Sequence, residues 1–221
     1  MKKLFLLVLI FSFQFSTVSA QEISKYLFGQ NMWLTQGAEG SRIGYIDDLW
    51  PTVEKSGVSM IRIGGNGYNK RMPSYETLTK WVLAIKSIGA EPLMQVSQHK
   101  TPEESAKLVA FFNKDAKTRI THWSIGNEPY HMSKMTVDSI SKFIKSHASA
   151  MKAVDPSIKI HVPDLAAYYN EAYEPLLLDN KLSISGRDKN GNCYVDGINF
   201  HNYPNAKEYT RSDVIFYSVT K

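Results

Sequence analysis

The sequence predicts an α/β protein: a (β/α)8 barrel of the TIM type, truncated after about six βα units. Three observations carry that expectation. A short β-rich run, a turn and an amphipathic helix recur in the same order along the chain. The strand starts are 32, 32, 30, 38 and 36 residues apart. One barrel unit takes roughly 31 residues when about 250 residues make eight. Each apolar run also hands over, at its C-terminal end, to amides, aromatics or ionisable groups, and that is the end where a βα barrel builds its site.

The elements follow in order. Tyr26–Trp33 is the first strand and ends in Gln30-Asn-Met-Trp33. A helix near Asp47–Lys55 comes next, with Pro51 counting against it. Val58–Ile63 ends in Arg62-Ile-Gly-Gly-Asn66 and runs on through Gly67-Tyr68-Asn69. Leu78, Trp81, Val82, Ile85 and Ile88 keep helical spacing and stop at Gly89. Ala90–Val96 leads into Gln95-Val-Ser-Gln-His99. Thr101-Pro-Glu-Glu104 is a capping box with proline at the first helical position. Leu108, Phe111 and Phe112 supply the buried stripe of that helix. Ile120–Ile125 runs into Asn127-Glu128. Thr136 caps a helix whose apolar side is Val137, Ile140, Phe143, Ile144, Ala148 and Met151. Ile158–Val162 ends in Pro163-Asp164, and Tyr194–Phe200 ends in His201-Asn-Tyr-Pro204. Residues 213–221 read as the start or middle of a sixth helix. Eight units would need about 60 residues more. The rival architecture is an open doubly wound sheet, but the first strand-to-helix turn, 31–44, has no Gly-x-Gly-x-x-Gly phosphate loop.

Lys2 and Lys3 precede an uninterrupted apolar run, Leu4–Phe11, and small residues follow at Val18-Ser19-Ala20. This pattern predicts a secretory signal peptide over 1–20, hence a secreted or periplasmic protein. The run is shorter than the about 20 residues that span a bilayer, which argues against a membrane anchor. Gln21 rather than Cys follows the cut, so a lipoprotein signal is absent. Residues 21–221 then form one partial barrel domain. There are 26 Lys and Arg against 21 Asp and Glu, two of the basic residues lying in the signal, so the mature excess is +3. Signs are mixed along the chain, which argues for neither nucleic acid nor an anionic membrane as partner. Cys193 is the single cysteine. No intrachain disulfide forms, and the fold must stand on its core.

The stretch Trp123-Ser-Ile-Gly-Asn-Glu-Pro-Tyr130 is the most telling. A carboxyl at the mouth of a buried strand must be hydrogen-bonded or do chemistry, so Glu128 is the candidate proton donor. The plain alternative is a carboxylate stabilised by a helix dipole. Arg62 is a candidate partner for an ionised carboxylate, or a simple ion-pair partner at the barrel mouth. His201 orients the site or is a structural histidine. Asn66 and Asn127 place amides at the same rim. Trp33, Tyr68, Tyr130 and Tyr203 offer apolar faces with polar edges for stacking, packing being the alternative for each. His99 reads equally as cleft lining or as a solvent-facing loop residue. Asp164 caps the next helix or lines the cleft. Asp188-Lys-Asn-Gly-Asn192 reads as a polar turn, since it lacks the glycine and the glutamate a calcium loop places at its sixth and twelfth positions. Cys193 has no partner at metal-ligand spacing and reads as unreactive.

On these residues the chain resembles the glycoside hydrolases of clan A, the retaining (β/α)8-barrel enzymes. The resemblance spans Tyr26 to Pro204, and its most specific element is Asn-Glu-Pro at the end of the fourth strand. It implies that Glu128 is the general acid/base and that Asn127 contacts the sugar 2-hydroxyl. Arg62 resembles the arginine that helps keep the nucleophile ionised. His201-Asn-Tyr203 resembles the His-x-Tyr that orients the catalytic carboxylates. Phe28-Gly-Gln-Asn-Met-Trp33 resembles the opening strand of several families that cut plant or algal polysaccharides. The resemblance also implies a nucleophile at the end of a seventh strand, beyond residue 221. Glu208 falls in the loop or helix after His201.

The chemistry agrees with those roles. A retaining glycosidase needs two carboxyl groups about 5–5.5 Å apart, one as nucleophile and one as acid and then base. Partial burial and a neighbouring carboxylate raise the acid's pKa, while an arginine keeps the nucleophile ionised. The expected protein is thus a secreted hydrolase of a polysaccharide (β-glucan, xyloglucan or related), needing no cofactor or metal, and inactive as the 221-residue chain alone. The rival readings are a carbohydrate-binding protein on a degenerate hydrolase barrel and an arabinofuranosidase-type exo-glycosidase.

Overall fold

A computed structural model describes residues 24–32 and 46–202. The predicted signal peptide, Trp33, Tyr203, Glu208 and the sixth-helix segment 213–221 lie outside the described residues. Six strands alternate with helices: β1 (Gly29–Met32), α1 (Ile46–Lys55), β2 (Met60–Ile63), α2 (Asn66–Lys70), α3 (Tyr75–Ser87), β3 (Glu91–Val96), α4 (Pro102–Asn113), β4 (His122–Ile125), α5 (Pro129–Met132), α6 (Val137–Val154), β5 (Lys159–Leu165), α7 (Asn170–Leu178) and β6 (Gly197–Phe200). Every pairing is parallel, in the order β1-β2-β3-β4-β5-β6. A doubly wound sheet reverses its order at a switch point. This sheet never does, which sets the open-sheet rival aside. Right-handed crossovers that always step the same way keep the helices on one face. The strands form a curled half-barrel, as six units of a TIM barrel do.

The helices α3, α4 and α6 start where a side chain satisfies one of their first N–H groups. Thr101 Oγ1 accepts from the Glu104 N–H at 3.2 Å, and Glu104 Oε2 accepts from the Thr101 N–H at 2.8 Å, so both halves of the capping box form. Ser74 and Thr136 cap α3 and α6 through their hydroxyls. The helix α1 runs through Pro51. Trp50 and Val53 pack against the core, and that burial offsets the hydrogen bond proline removes.

Alternation along each strand separates two faces. Ile61, Ile63, Met94, Val96, Trp123, Ile125, Ile160 and Val162 join one apolar cluster with Leu78, Val82, Leu108, Phe112, Ile140 and Ile144 of the helices. Most of these side chains are wholly buried, and each contributes about 1.5–3 kcal/mol. Several of the intervening strand positions, on the inside of the curl, are polar: Arg62, Gln95, His122, Ser124 and His161. His122 Nδ1 and His161 Nε2 lie 2.9 Å apart and their rings stack at 5.2 Å, with the Tyr26 ring edge-on to His122 at 5.0 Å. Burial pushes both imidazoles below their ordinary value, which favours neutral rings with one donating to the other. Gly197 sits opposite His161 in register. A Cβ there would come within 2.6 Å of the His161 Nδ1, so the imidazole fills the space a larger residue would need. Among the described residues, no helix is long and apolar enough to cross a membrane.

Outside the sheet, His147 on α6 is 2% exposed and its Nδ1 lies 2.9 Å from the Ser105 hydroxyl of α4. Burial pushes its imidazole down to about 4, partly countered by the charge of Glu103. The folded value lies below the unfolded one, so the unfolded chain takes up the proton first as pH falls. The stability contribution is therefore present above about pH 6.5 and is lost towards pH 4, an effect on the order of 3 kcal/mol. In urea denaturation at pH 7.5 and 4.5, His147→Asn, which can keep the Ser105 contact, should flatten that part of the loss. An unchanged pH dependence in the variant would show that His147 does not carry it.

Candidate active site

The C-terminal ends of the strands open onto one cavity of about 560 Å³. Asn31 of β1, Arg62 of β2, Asn127 and Glu128 after β4, Asp164 of β5, and Asn199 and His201 at β6 line it, together with the turn Gly64–Tyr68. Glu128 is aimed by its backbone. The Gly126 N–H donates to Val96 O at 2.9 Å and the Glu128 N–H donates to Asp164 O at 2.8 Å. Glu128 itself holds φ 50° and ψ 47°, a left-handed state uncommon outside glycine and concentrated at functional positions. Its side chain is 7% exposed, and Oε1 lies 2.6 Å from His201 Nδ1. Glu128 precedes α5 and makes no side-chain capping bond to it.

Asp164 is the second residue of the cavity in the left-handed region, with φ 54°, directly after the cis Val162–Pro163 peptide. A register irregularity between Pro163 and Leu165 sets it apart from regular pairing. Asn199 clamps it from β6: Oδ1 accepts from the Asp164 N–H at 3.0 Å and Nδ2 donates to Asp164 Oδ1 at 2.7 Å. Of the two readings of Asp164, the cleft is the one observed. The residue flanking α7 at its start is Tyr169, with no side-chain cap.

Arg62 joins these groups. Its Nη2 lies 3.0 Å from Asp164 Oδ2, 2.8 Å from Asn127 Oδ1 and 3.0 Å from Gln95 Oε1. Gln95 Oε1 also accepts from the Gly65 N–H at 2.7 Å, and Gln95 Nε2 donates to Asn69 Oδ1 at 2.7 Å. A Cβ on Gly64 would stand 2.6 Å from Gln95 Oε1, so glycine there makes room for the amide. Asn127 Nδ2 donates to Asn66 Oδ1 at 3.1 Å, and the Asn127 N–H donates to Gln98 Oε1 at 3.0 Å.

The charges follow from these contacts. Burial alone would raise the Asp164 carboxyl, but the Arg62 charge beside it, joined by His201, holds it below the ordinary carboxylate value. Burial pulls His201 down, but its contacts with Asp164 and then Glu128 outweigh that pull and raise it. The site can therefore hold a cationic imidazole between two carboxyl groups. Among the described residues, no group of three or more His, Cys, Asp or Glu side chains is arranged to hold a metal ion.

Five sequence-predicted residues meet here: Arg62, Asn66, Asn127, Glu128 and His201. Tyr68 lines the cavity but is 0% exposed and belongs to the apolar cluster, so it is a wall and not a stacking face. Tyr130 is not among the lining residues and packs 5.6 Å from the Tyr169 ring. His99 is exposed on its loop and does not line the cavity. Asp188 Oδ1 accepts the N–H groups of Asn190 and Asn192 at 2.9 and 2.8 Å, which makes 188–192 the polar turn expected. Asn199 and Gln95 were not singled out in sequence. A signal existed for Asn199: it lies two positions before His201, on the same face of β6.

No protein-family model matches the chain, and comparison with curated proteins gives no match. Solved structures do share the fold. The bifunctional glucanase-xylanase CelM2 from a metagenome library is 12% identical, over 87% of this chain and 57% of that one, with a TM-score of 0.59. A Paenibacillus polymyxa xyloglucanase of glycoside hydrolase family 44, solved with xyloglucan, is 15% identical over 83% and 52%, with a TM-score of 0.56. A family 51 α-L-arabinofuranosidase from Bifidobacterium longum is 14% identical over 86% and 47%, with a TM-score of 0.55. The chain thus spans about half the length of the structures it matches.

Removing one partner of a buried ion pair strands the other. Arg62→Met should therefore cost about 3–5 kcal/mol in urea denaturation, and adding Asp164→Asn should recover part of it. A single-variant loss below about 1 kcal/mol would mean that the pair behaves as a solvated one.

Proposed function

We propose that this protein is an exported retaining glycosidase that cleaves O-glycosidic bonds of a polysaccharide, with Glu128 as general acid/base. The observation that carries the reading is the contact of 2.6 Å between Glu128 Oε1 and His201 Nδ1 in a cavity at the strand ends. A carboxyl 6% exposed, sharing a short hydrogen bond with an imidazole, can hold a proton and release it. In the first step Glu128 gives its proton to the glycosidic oxygen. The bond from that oxygen to the anomeric carbon breaks while the nucleophile bonds to the same carbon. In the second step the Glu128 carboxylate takes a proton from water, the water oxygen attacks the anomeric carbon, and the nucleophile leaves. The reading places that nucleophile on a seventh strand of the complete barrel.

The neighbouring amides support a neutral sugar as the group bound. Asn31, Asn66, Asn127, Asn199 and Asn202 all line the cavity. One Asn127 Nδ2 hydrogen goes to Asn66, and the amide carries a second for a hydroxyl whose acidity rises as positive charge develops on the ring. The likeness to the glucanase-xylanase and the xyloglucanase supports a β-glucan, xyloglucan or related chain as substrate. The Lys2–Ala20 pattern supports export. The mature protein is then expected to begin at Gln21, and N-terminal sequencing of the exported protein that returned Met1 would contradict it.

In the full-length protein, Glu128→Gln should lower hydrolysis of polysaccharide about 10²–10⁴-fold. Aryl glycosides with activated leaving groups need little protonation and should lose far less in the first step. Equal losses on both substrate types would remove the acid role from Glu128.

A further inference from the structure

We infer that Asp164 is a positioning residue of the proton-transfer pair: from the end of β5 it holds the His201 imidazole, as a cation, against Glu128. The catalytic consequence rests on the glycosidase reading; the placement of the charge does not.

Asp164 is 2% exposed, and each of its oxygens is engaged. Oδ2 pairs with Arg62 at 3.0 Å. Oδ1 accepts from Asn199 Nδ2 at 2.7 Å and lies 3.5 Å from His201 Nε2. The other ring nitrogen, Nδ1, lies 2.6 Å from Glu128 Oε1, and the His201 backbone N–H donates to Leu165 O at 2.7 Å. One imidazole therefore spans two carboxyl groups, with Nε2 towards Asp164 and Nδ1 towards Glu128. The Asp164 carboxylate favours the ring form that carries both N–H groups, and Glu128 Oε1 sits where it accepts from Nδ1–H even while its other oxygen carries the acid proton. Among the described residues, the charged side chains around the ring are Glu128 after β4, Asp164 on β5 and Arg62 on β2. Burial and Arg62 oppose the cation, and the two carboxyl groups outweigh them.

This arrangement acts when the proton leaves Glu128. The glycosidic oxygen takes that proton together with the electron pair of the breaking C–O bond, and the O–H electron pair stays on Glu128 as a carboxylate. The new negative charge then faces the Nδ1–H of His201. The imidazolium keeps its own proton throughout, and water returns a proton to Glu128 in the second step. A merely structural Asp164 would neutralise Arg62 and leave His201 as it was.

The test is the titration of His201 by ¹⁵N-detected NMR in the full-length protein without substrate. His201 should titrate above the ordinary histidine value of about 6.5, and Asp164→Asn should lower it by about one unit or more. In the same variant, the basic limb of the pH–rate profile should move down by the same amount while the acidic limb stays. A wild-type His201 that titrates below its ordinary value overturns the inference without any variant. So does a folded Asp164→Asn protein whose His201 is unmoved, or one that loses rate equally at every pH. If His201 behaves as expected but no polysaccharide or aryl glycoside is cleaved, the charge placement stands and the glycosidase reading fails.

Discussion

The Arg62 guanidinium and the Asp164 carboxylate lie 3.0 Å apart at the mouth of the strands, and the rest of the polar site is arranged around that contact. Taking either ion out of water alone costs several kcal/mol. Here the cost is offset because neither ion is left with a single partner. Arg62 also reaches Gln95 and Asn127, and Asp164 is held by Asn199 and faces His201. The amides are themselves oriented by Asn66, Asn69 and the Gly65 N–H. Buried polar groups depend on their partners in low dielectric. The contacts made by Arg62 Nη2 carry the guanidinium, while Arg62 Nε and Asn69 Nδ2 are buried without a hydrogen-bond partner among the described residues.

What permits this is the division of labour between the two faces of the sheet. The outer face is apolar and packed against helices, so the strand positions are held by burial that makes no use of the polar groups. Strain can then be tolerated at the strand ends. Glu128 and Asp164 both take positive φ, at a cost of about 1–3 kcal/mol each. Both sit just where a strand gives way to its loop, and the Glu128 N–H bonds to the Asp164 carbonyl. The two carboxyl-bearing residues are thus tied through their backbones before their side chains meet His201.

The histidines show how far environment decides chemistry. For His147 among helices, and for His122 and His161 inside the curl, burial outweighs the nearby carboxylates (Glu103, Glu91, and Asp196 with Asp164 respectively), and each is pushed towards the neutral form. His201 is buried too, but two carboxyl groups face it and the balance reverses. Residue type alone distinguishes none of these. The difference lies in what the neighbouring strand ends present.

The sequence by itself determined the six strands, the helices α1, α3, α4 and α6, their order and the end of the sheet that carries the site. The helices α2, α5 and α7 carried no such pattern, and β1 and β6 start three residues later than their apolar runs. Caps, apolar periods and strand spacing are local patterns, and local hydrogen bonding and burial enforce them wherever the chain goes. It also marked Arg62, Asn66, Asn127, Glu128 and His201, because polar groups at the ends of apolar runs stand out in one dimension. The tertiary structure alone decided their partners. Arg62 and Asp164 are 102 positions apart, and nothing in either neighbourhood says that they meet. Nor does it say that Asn199 clamps Asp164, that Tyr68 is sealed in the wall, or that Tyr130 leans on Tyr169. Those contacts depend on the register of parallel strands and the curl of the sheet, which arise only when distant segments pack against one another.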